Sequence, residues 1–224
     1  MKLNQNTIET LKNFANINTN ILIKPGKELS TISTMRNIFA KAEITEEFIS
    51  EFGIYDLNEF LSVVTELNKP EILLEDKFMT IASEGSKSKA KYFYSDPSVI
   101  VSPTKEVTMP EADVTFTLSE SNLKELLKMS AILKTPDLAL VGTNGGPISL
   151  TVCDKKNDTS NKYSIEVAEN ATAEFTFYFK VENLKMYSGD YDVSVSSKSI
   201  SHFQNKKLPI QYWIALEPDS SFTK

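Results

Sequence analysis

Apolar side chains recur every three or four positions in three stretches of the chain, which is the spacing of one helix face. The stretches cover residues 7–18, 56–68 and 119–134. Thr7 is placed to cap the first, and Asp56 with Glu59 forms a pair typical of a helix N-terminus. The pattern therefore predicts three helices that bury the following residues: Ile8, Leu11, Phe14 and Ala15; Leu57, Phe60, Leu61, Val64 and Leu67; Leu123, Leu126, Leu127, Ser130 and Leu133.

A short alternating pattern, typical of a strand, runs directly into a helix-like pattern twice. It does so in EFGIYDLNEFLSVV, which begins at Glu51, and again in EFTFYFKVENLKMY, which begins at Glu174. Each half of the chain therefore reads as helix, strands, helix, strands, which indicates an internal duplication at the scale of a domain. The alternative is that two unrelated α+β domains match in this way by chance.

The middle of the chain, residues 95–111, has no helical periodicity and contains Pro97, Pro103 and Pro110. Such a segment is typical of a stiff, extended connector. We therefore predict two α+β domains, an N-terminal one over residues 1–108 and a C-terminal one over residues 109–224. Two turns are predicted inside them: a hairpin at KPGK, residues 24–27, and another at GTNGGP, residues 142–147.

The composition is that of a globular protein, with 41% hydrophobic and 24% charged residues. No apolar stretch is long enough for a membrane span, and the start of the chain lacks the pattern of a signal peptide. The single cysteine, Cys153, excludes an intramolecular disulfide and fits a reducing cytoplasm. The net charge of −6 argues against nucleic acid as a partner of the whole surface, although it leaves room for a local basic patch.

Candidate catalytic chemistry is sparse. The only histidine, His202, has no serine elbow or second histidine near it in sequence, and the loop DKKND at residues 154–158 reads as solvated. The glycines of residues 142–146 are followed by no Lys-Ser/Thr pair, so they do not predict a phosphate loop. We therefore expect no enzymatic activity, no cofactor and no metal site.

The lysines carry more information. Lys124 and Lys128 are four residues apart on one flank of the third predicted helix, and Lys12 occupies a comparable flank of the first. Lys134 ends the third helix, and Lys185 lies in the helix-like segment KVENLKMY. These five lysines are candidates for contacting DNA phosphates. The alternative is an ordinary solvated face, as on the second helix, which offers Glu59 and Glu66 instead.

The last strand pattern places the only tryptophan of the chain on the side away from the core. The core-face set Ile210, Tyr212, Ile214 and Leu216 alternates with the outer set Gln211, Trp213, Ala215 and Glu217. An outward tryptophan indicates an apolar docking pocket. The alternative is that a neighbouring loop covers Trp213.

Five segments together resemble the DNA polymerase sliding clamps of T-even-type bacteriophages. They are YDLNEFL, the proline-containing connector, LKELLKMS, LKMYSGDYDVSV and YWIALEPDSS, in this order along nearly the whole chain. The resemblance implies two similar clamp domains, with antiparallel sheets outside and helices lining the central hole of a ring. It implies a homotrimer, duplex DNA encircled without sequence specificity, a polymerase that is tethered for processive synthesis, and an ATP-driven clamp loader.

The resemblance also implies a pocket for the C-terminal peptide of the polymerase, at the connector and the last strand: Val101, Pro103, Trp213, Ala215, Leu216 and Pro218. Proteins of late transcription are a further partner class that it allows. The alternative function is that of a phage structural protein, in a capsid or tail, with no role at DNA.

Overall fold

The computed structural model of the chain describes residues 1–85 and 87–223. The chain divides into two compact units, unit 1 over Met1–Glu106 and unit 2 over Val107–Lys224. Each unit combines antiparallel sheets with helices.

Unit 1 begins with a helix and contains seven strands among its described residues. Its elements are α1 (Gln5–Ile17), β1 (Ile21–Ile23), β2 (Gly26–Ile32), β3 (Ile38–Phe48), β4 (Phe52–Ile54), α2 (Leu57–Glu66), β5 (Pro70–Leu74), β6 (Phe78–Ser83), β7 (Lys89–Phe93) and a short 3₁₀ helix (Pro97–Val99). β1 pairs with β4, β2 with β3, and β6 lies between β5 and β7. Helix α1 packs against α2 and β3, so its apolar face closes the core of this unit.

The cap of α1 differs from the prediction. The side chain of Asn4 accepts a hydrogen bond from the Thr7 backbone N–H at 2.8 Å, so the helix begins at Gln5 and not at Thr7. The Thr7 hydroxyl is buried instead and donates to the Glu46 carboxylate at 2.7 Å. Glu46 also accepts a hydrogen bond from the Asn4 backbone, and it therefore fixes the start of α1 from strand β3.

The KPGK turn is not a hairpin. It joins β1 to β2, but β1 forms its hydrogen bonds with β4 and β2 forms its own with β3. The prediction was wrong because the partner of β1 lies about thirty residues further along the chain, beyond the reach of a local turn pattern. Gly26, with φ of +117°, supplies the backbone conformation that redirects the chain between the two pairs.

Unit 2 contains one long helix and nine strands among its described residues. Its elements are β8 (Val114–Leu118), α3 (Glu120–Leu133), β9 (Asp137–Gly142), β10 (Ile148–Cys153), β11 (Tyr163–Ala168), β12 (Glu174–Lys180), a 3₁₀ helix (Val181–Asn183), β13 (Tyr191–Ser196), β14 (Ile200–Asn205), β15 (Ile210–Ala215) and β16 (Ser221–Thr223). The order is β11-β10-β9-β12-β16 in one sheet, and β15-β14-β13-β8 run side by side in the other. Helix α3 packs on β10 and β11.

The alternation predicted for β12 is confirmed, with Phe175, Phe177 and Phe179 all buried. The turn at residues 142–147 is confirmed as a hairpin, since β9 and β10 pair on either side of it. A Cβ at Gly142 would lie 2.5 Å from the Phe175 ring, so the close approach of β9 and β12 requires glycine there.

The second strand-to-helix junction is not a helix of the predicted kind. After β12 the chain makes only the three-residue 3₁₀ helix Val181–Asn183, and Lys185 lies in the irregular segment that follows. Lys180, at the capping position, makes no side-chain capping hydrogen bond, because an ammonium group only donates and cannot accept from the free N–H groups of a helix start. Its ammonium group is paired with the buried Asp137 carboxylate at 2.5 Å.

Candidate nucleic-acid interface and partner pocket

The first predicted contact residue, Lys12, is exposed on α1. It lies on the flank beside the face that carries the buried residues Leu11, Phe14 and Ala15. Its ammonium group is 2.9 Å from the Glu9 carboxylate, one turn earlier on the same helix. The sequence pattern fixes this placement, since the apolar residues of an amphipathic helix select which face turns to the sheets.

Helix α3 carries three of the predicted lysines. Lys124 and Lys128 are exposed on the flank that leaves Leu123, Leu126 and Ser130 buried. Lys134 is the C-cap residue and adopts the left-handed conformation, with φ of +56°. Cations are favourable at this end because the carbonyl groups of the last turn carry partial negative charge.

Lys124 is paired with the Glu120 carboxylate, which also accepts a hydrogen bond from the Ser188 hydroxyl. These two hydrogen bonds, and the charge of Lys207 nearby, hold the pKa of Glu120 below its usual value. A glutamate is already ionised at neutral pH, and these contacts extend its ionised range to lower pH. Lys207 was not among the predicted contacts. The sequence feature that could have indicated it is the pair of adjacent lysines after Asn205, in the turn between β14 and β15.

The segment that carries Lys185 is held at the start of α3. The Asp190 carboxylate accepts a hydrogen bond from the Glu120 backbone N–H at 2.8 Å, and Ser188 contacts the Glu120 side chain. The Tyr187 backbone donates to the buried Tyr212 hydroxyl at 2.9 Å. Within unit 2, the structure thus brings the segment of Lys185 to the helix end that bears Lys124, although Lys185 is not on a helix.

Trp213 lies on the side of β15 away from Tyr212 and Ile214, as the alternation predicts. It is nevertheless buried, with 8% of its surface exposed, and it stacks on His202 with a centroid distance of 4.6 Å. The His202 ring is held by a hydrogen bond between Nε2 and the Gln211 Oε1 atom at 2.9 Å. The sequence pattern left open whether the outward indole is accessible or covered. The imidazole of His202, from strand β14 and not from a loop, covers it.

The other predicted pocket residues differ in exposure. Ala215 is half-buried at the end of β15, Pro218 is exposed, and Leu216 is buried with its backbone N–H donated to the Ser199 carbonyl. Leu216 thus belongs to the core of unit 2, as its place in the core-face set predicts, although β15 itself ends at Ala215.

Val101 and Pro103 belong to unit 1, where both are half-buried. Two asparagines hold Val101 in place: its N–H donates to Asn20 at 3.0 Å, and its carbonyl accepts from Asn18 at 3.0 Å. The start of the connector is therefore fixed by side chains, in addition to the stiffness that its prolines supply.

The segment after β15 is held by charge. The Lys155 ammonium lies 3.0 Å from the Glu217 carboxylate and 2.6 Å from that of Asp219, and its side chain is 10% exposed. The prediction that residues 154–158 form a fully solvated loop is therefore wrong for Lys155. These contacts fix Pro218, which lies between the two acidic residues.

In the part of the chain that the structure describes, no group of three or more His, Cys, Asp or Glu side chains is placed to bind a metal ion. Cys153 is buried, and burial raises the pKa of its thiol. None of the helices in residues 1–85 and 87–223 is long and apolar enough to cross a membrane.

Two family models match the chain, one in each unit. The model of the DNA polymerase processivity factor matches residues 2–102, and the model of the C-terminal part of the gp45 sliding clamp matches residues 115–218. The sliding clamp of Vibrio phage KVP40 is 34% identical over 223 residues, which are 97% of this chain and 99% of the relative. The chain belongs to the DNA polymerase sliding clamp family.

Other sliding clamps agree along the whole length. The clamp of Escherichia phage RB69 is 30% identical and that of Enterobacteria phage T4 is 28% identical, each over 99% of both chains. Among solved structures, A. fulgidus PCNA bound to the C-terminal region of FEN-1 has a TM-score of 0.71 at 12% identity and covers 96% of each chain. The β subunit of DNA polymerase III from Pseudomonas aeruginosa has a TM-score of 0.65 at 12% identity.

These matches confirm the α+β sliding clamp fold and the function. The chain is a processivity factor of DNA replication, and nothing supports the alternative of a capsid or tail protein. Membership in the family implies duplex DNA and a DNA polymerase as partners and a ring of several subunits. A role without catalysis is consistent with this family.

Proposed function

We propose that three copies of this chain close into a ring around duplex DNA and tether the replicative polymerase through its C-terminal peptide. The lysines of α1 and α3, with Lys185, then face the DNA, and an ATP-driven loader opens the ring. A tethered polymerase rebinds its primer end at a high effective concentration, so that synthesis becomes processive.

The number of copies is supported by length. The chain aligns with A. fulgidus PCNA over 96% of both chains, but with only 63% of the Pseudomonas β subunit, although 95% of this chain is covered. The resemblance to sliding clamps implies that bacterial clamps close a ring of six domains from two chains of three domains each. A chain that matches about two of those three domains then needs three copies to complete the ring.

Ring closure requires an edge on each side of the protomer. In the described sheets, β7 pairs only with β6 and β11 pairs only with β10, so each has one side open to a further strand. β7 carries Lys89 and Lys91, whereas Glu166 lies on β11 and Glu169 follows it. We propose that β7 of one copy meets β11 of the next, because these edges have opposite charge and a head-to-tail contact needs two different surfaces.

The DNA-facing role rests on one observation. Lys12, Lys124 and Lys128 are exposed on helix flanks outside the buried faces, and Lys134 is exposed at the C-cap of α3. In a protein with a net charge of −6, such flanks attract phosphates without reading sequence, while the acidic remainder repels DNA.

The variant Lys124→Glu/Lys128→Glu tests this placement. Both side chains are exposed, so we expect the fold to survive while loading onto DNA and processive synthesis fall sharply, most of all as salt rises. The matched control is Lys24→Glu/Lys27→Glu, which makes the same charge change in the turn between β1 and β2, where both lysines are exposed. Normal synthesis by the first variant at low and high salt, or an equal loss in the control, would contradict the proposal.

The docking site is proposed at the end of β15, next to the segment that Lys155 holds. Ala215 and Pro218 supply accessible surface there, and His202 covers Trp213 beside them. The remaining residues of the predicted pocket are Val101, Pro103 and Leu216. The fold supports a peptide partner by analogy, since the similar A. fulgidus PCNA binds the C-terminal region of FEN-1.

Ala215→Asp tests the docking site by placing a charge where the peptide must exclude water. We expect the affinity for the C-terminal peptide of the polymerase to fall by more than about tenfold, with the native mass unchanged. Ala131→Asp, the same change at an exposed position of α3, should leave the affinity for the peptide as it is. An unchanged affinity in Ala215→Asp places the pocket elsewhere, and loss of the oligomer assigns Ala215 a structural role.

The remaining partners follow from the family alone. We propose the cytoplasm of an infected bacterium as the location, and proteins of late transcription as a second class that docks on the ring. Competition between such a protein and the polymerase peptide for the end of β15 would test the shared site directly.

A further inference from the structure

Two of the lysines proposed to face DNA form an ion pair with a glutamate of the same helix. Lys12 is paired with Glu9, three residues earlier, and Lys124 is paired with Glu120, four residues earlier. In both pairs the glutamate lies one turn closer to the N-terminus of its helix, which is the favourable orientation for such a pair. Each unit therefore has a helix with such a glutamate–lysine ion pair, and the two helices are far apart in sequence.

The other lysines of α3 differ. Among the described residues, no ion pair within 4.0 Å involves Lys128 or Lys134. α3 thus presents one lysine whose charge is shared with a carboxylate and others whose charge is available to a phosphate.

Glu120 is fixed more firmly than an ordinary surface glutamate. Its carboxylate is held by Ser188 from the segment before β13, and its backbone N–H is bound by Asp190. With its backbone bound by Asp190 and its carboxylate bound by Ser188, Glu120 stays beside Lys124 when DNA approaches, so it keeps competing for the lysine.

We infer that Glu9 and Glu120 act as internal competitors of the DNA phosphates, which weaken the hold of Lys12 and Lys124 on the duplex so that the ring can slide. This inference rests on the proposed DNA-facing role of the lysines. When a phosphate leaves the lysine, the glutamate carboxylate takes its place. The lysine therefore loses little interaction free energy on each step along the DNA. Exposed ion pairs are individually weak, which makes such an exchange nearly even.

The test is equilibrium binding of the full chain to a labelled linear duplex over a series of NaCl concentrations. Glu9→Gln and Glu120→Gln should each tighten binding by about twofold to fivefold, the range expected for an exposed ion pair. Each should also make the plot of log K against log salt steeper, by up to about 0.9 for the lysine that is released. Diffusion along DNA should slow in the same variants.

Glu28→Gln is the matched control, since it removes the same charge and also breaks an ion pair, with Lys41 at 2.7 Å on strands β2 and β3. It should leave the slope unchanged. Equal tightening by Glu28→Gln would overturn the inference, because any lost negative charge would then suffice.

Lys12→Gln and Lys124→Gln separate the two proposals. If these variants bind DNA as the parent does, the proposed DNA-facing role is wrong. If they bind more weakly while Glu9→Gln and Glu120→Gln bind as the parent does, only the competition is wrong. The double variant Glu120→Gln/Lys124→Gln should bind no more tightly than Lys124→Gln alone, because the glutamate acts through that lysine.

Discussion

The two units carry the same pattern of strand followed by apolar helix, and they fold it differently. In unit 1, β4 leads into the ten-residue helix α2, whereas in unit 2, β12 leads into the three-residue 3₁₀ helix Val181–Asn183. The residue at the capping position differs: Asp56 accepts hydrogen bonds from the Asn58 and Glu59 backbones, and Lys180 makes none. An apolar pattern therefore does not make a helix by itself when its first turn lacks a cap.

The difference also has a long-range cause. Lys180 is committed to Asp137, which has 1% of its surface exposed, so the chain after β12 is tied to β9 before a helix can begin. The apolar residues of this segment, such as Leu184, are buried without helical geometry. The end of β12 is therefore anchored both by this ion pair and by the Val181 backbone N–H, which donates to the Pro136 carbonyl at 2.9 Å.

Among the variants that test this difference between the units, Asp56→Ala should have the largest effect on the free energy of unfolding. It removes the acceptor of two backbone hydrogen bonds at 3.0 Å each, so the free energy of unfolding should fall by about 1 kcal/mol. Urea unfolding at a fixed protein concentration measures this, and hydrogen exchange of the Asn58 and Glu59 amides locates it in α2.

Asp96→Ala is the matched control for this change. Asp96 caps only the 3₁₀ helix Pro97–Val99, through one hydrogen bond to the Ser98 backbone at 2.8 Å. It should cost less and leave exchange in α2 unchanged. An equal cost in both variants would mean that the cap does not decide whether a helix follows the strand.

A smaller change in folding stability should appear at alkaline pH. Burial raises the pKa of Tyr92 to about 12 and that of Tyr191 to about 12. Each phenol stays neutral in the folded chain but ionises near pH 10 when unfolded. Stability is therefore complete below about pH 10 and falls as the pH rises toward 12.

The two tyrosines distinguish the units. Tyr92 donates to the Asp56 carbonyl at the start of α2, while the fully buried Tyr191 donates to the Tyr187 carbonyl in the segment that replaces the second helix. Tyr191→Phe should therefore flatten the alkaline loss of stability more than Tyr92→Phe, in unfolding curves recorded at several pH values. Identical losses in the parent and both variants would show that other groups cause them.

Local chemistry in the sequence was enough to predict α2, α3, the hairpin at residues 142–147 and the buried phenylalanines of β12. Each of these depends on neighbours within a few residues. The cap of α1 was not predictable in the same way, because Asn4 and Thr7 are both good capping residues. Glu46, about forty residues away, decides between them by holding Asn4 and burying the Thr7 hydroxyl.

In the candidate site, too, local sequence patterns predicted some features, and distant residues decided the others. The helix lysines were predictable because helical spacing alone sets which flank is exposed. The stacking of His202 on Trp213 and the pairing of Lys155 with Glu217 and Asp219 were not, since each joins residues that only the strand register brings together. The resemblance to the clamp family led to the function because it used the order of segments along the whole chain.

Electron microscopy of single particles tests the central claim most directly. We expect a closed ring of three copies, with a hole wider than duplex DNA and with α1 and α3 on its inner wall. A particle of one copy, or a ring whose inner wall is formed by the sheets, would contradict it.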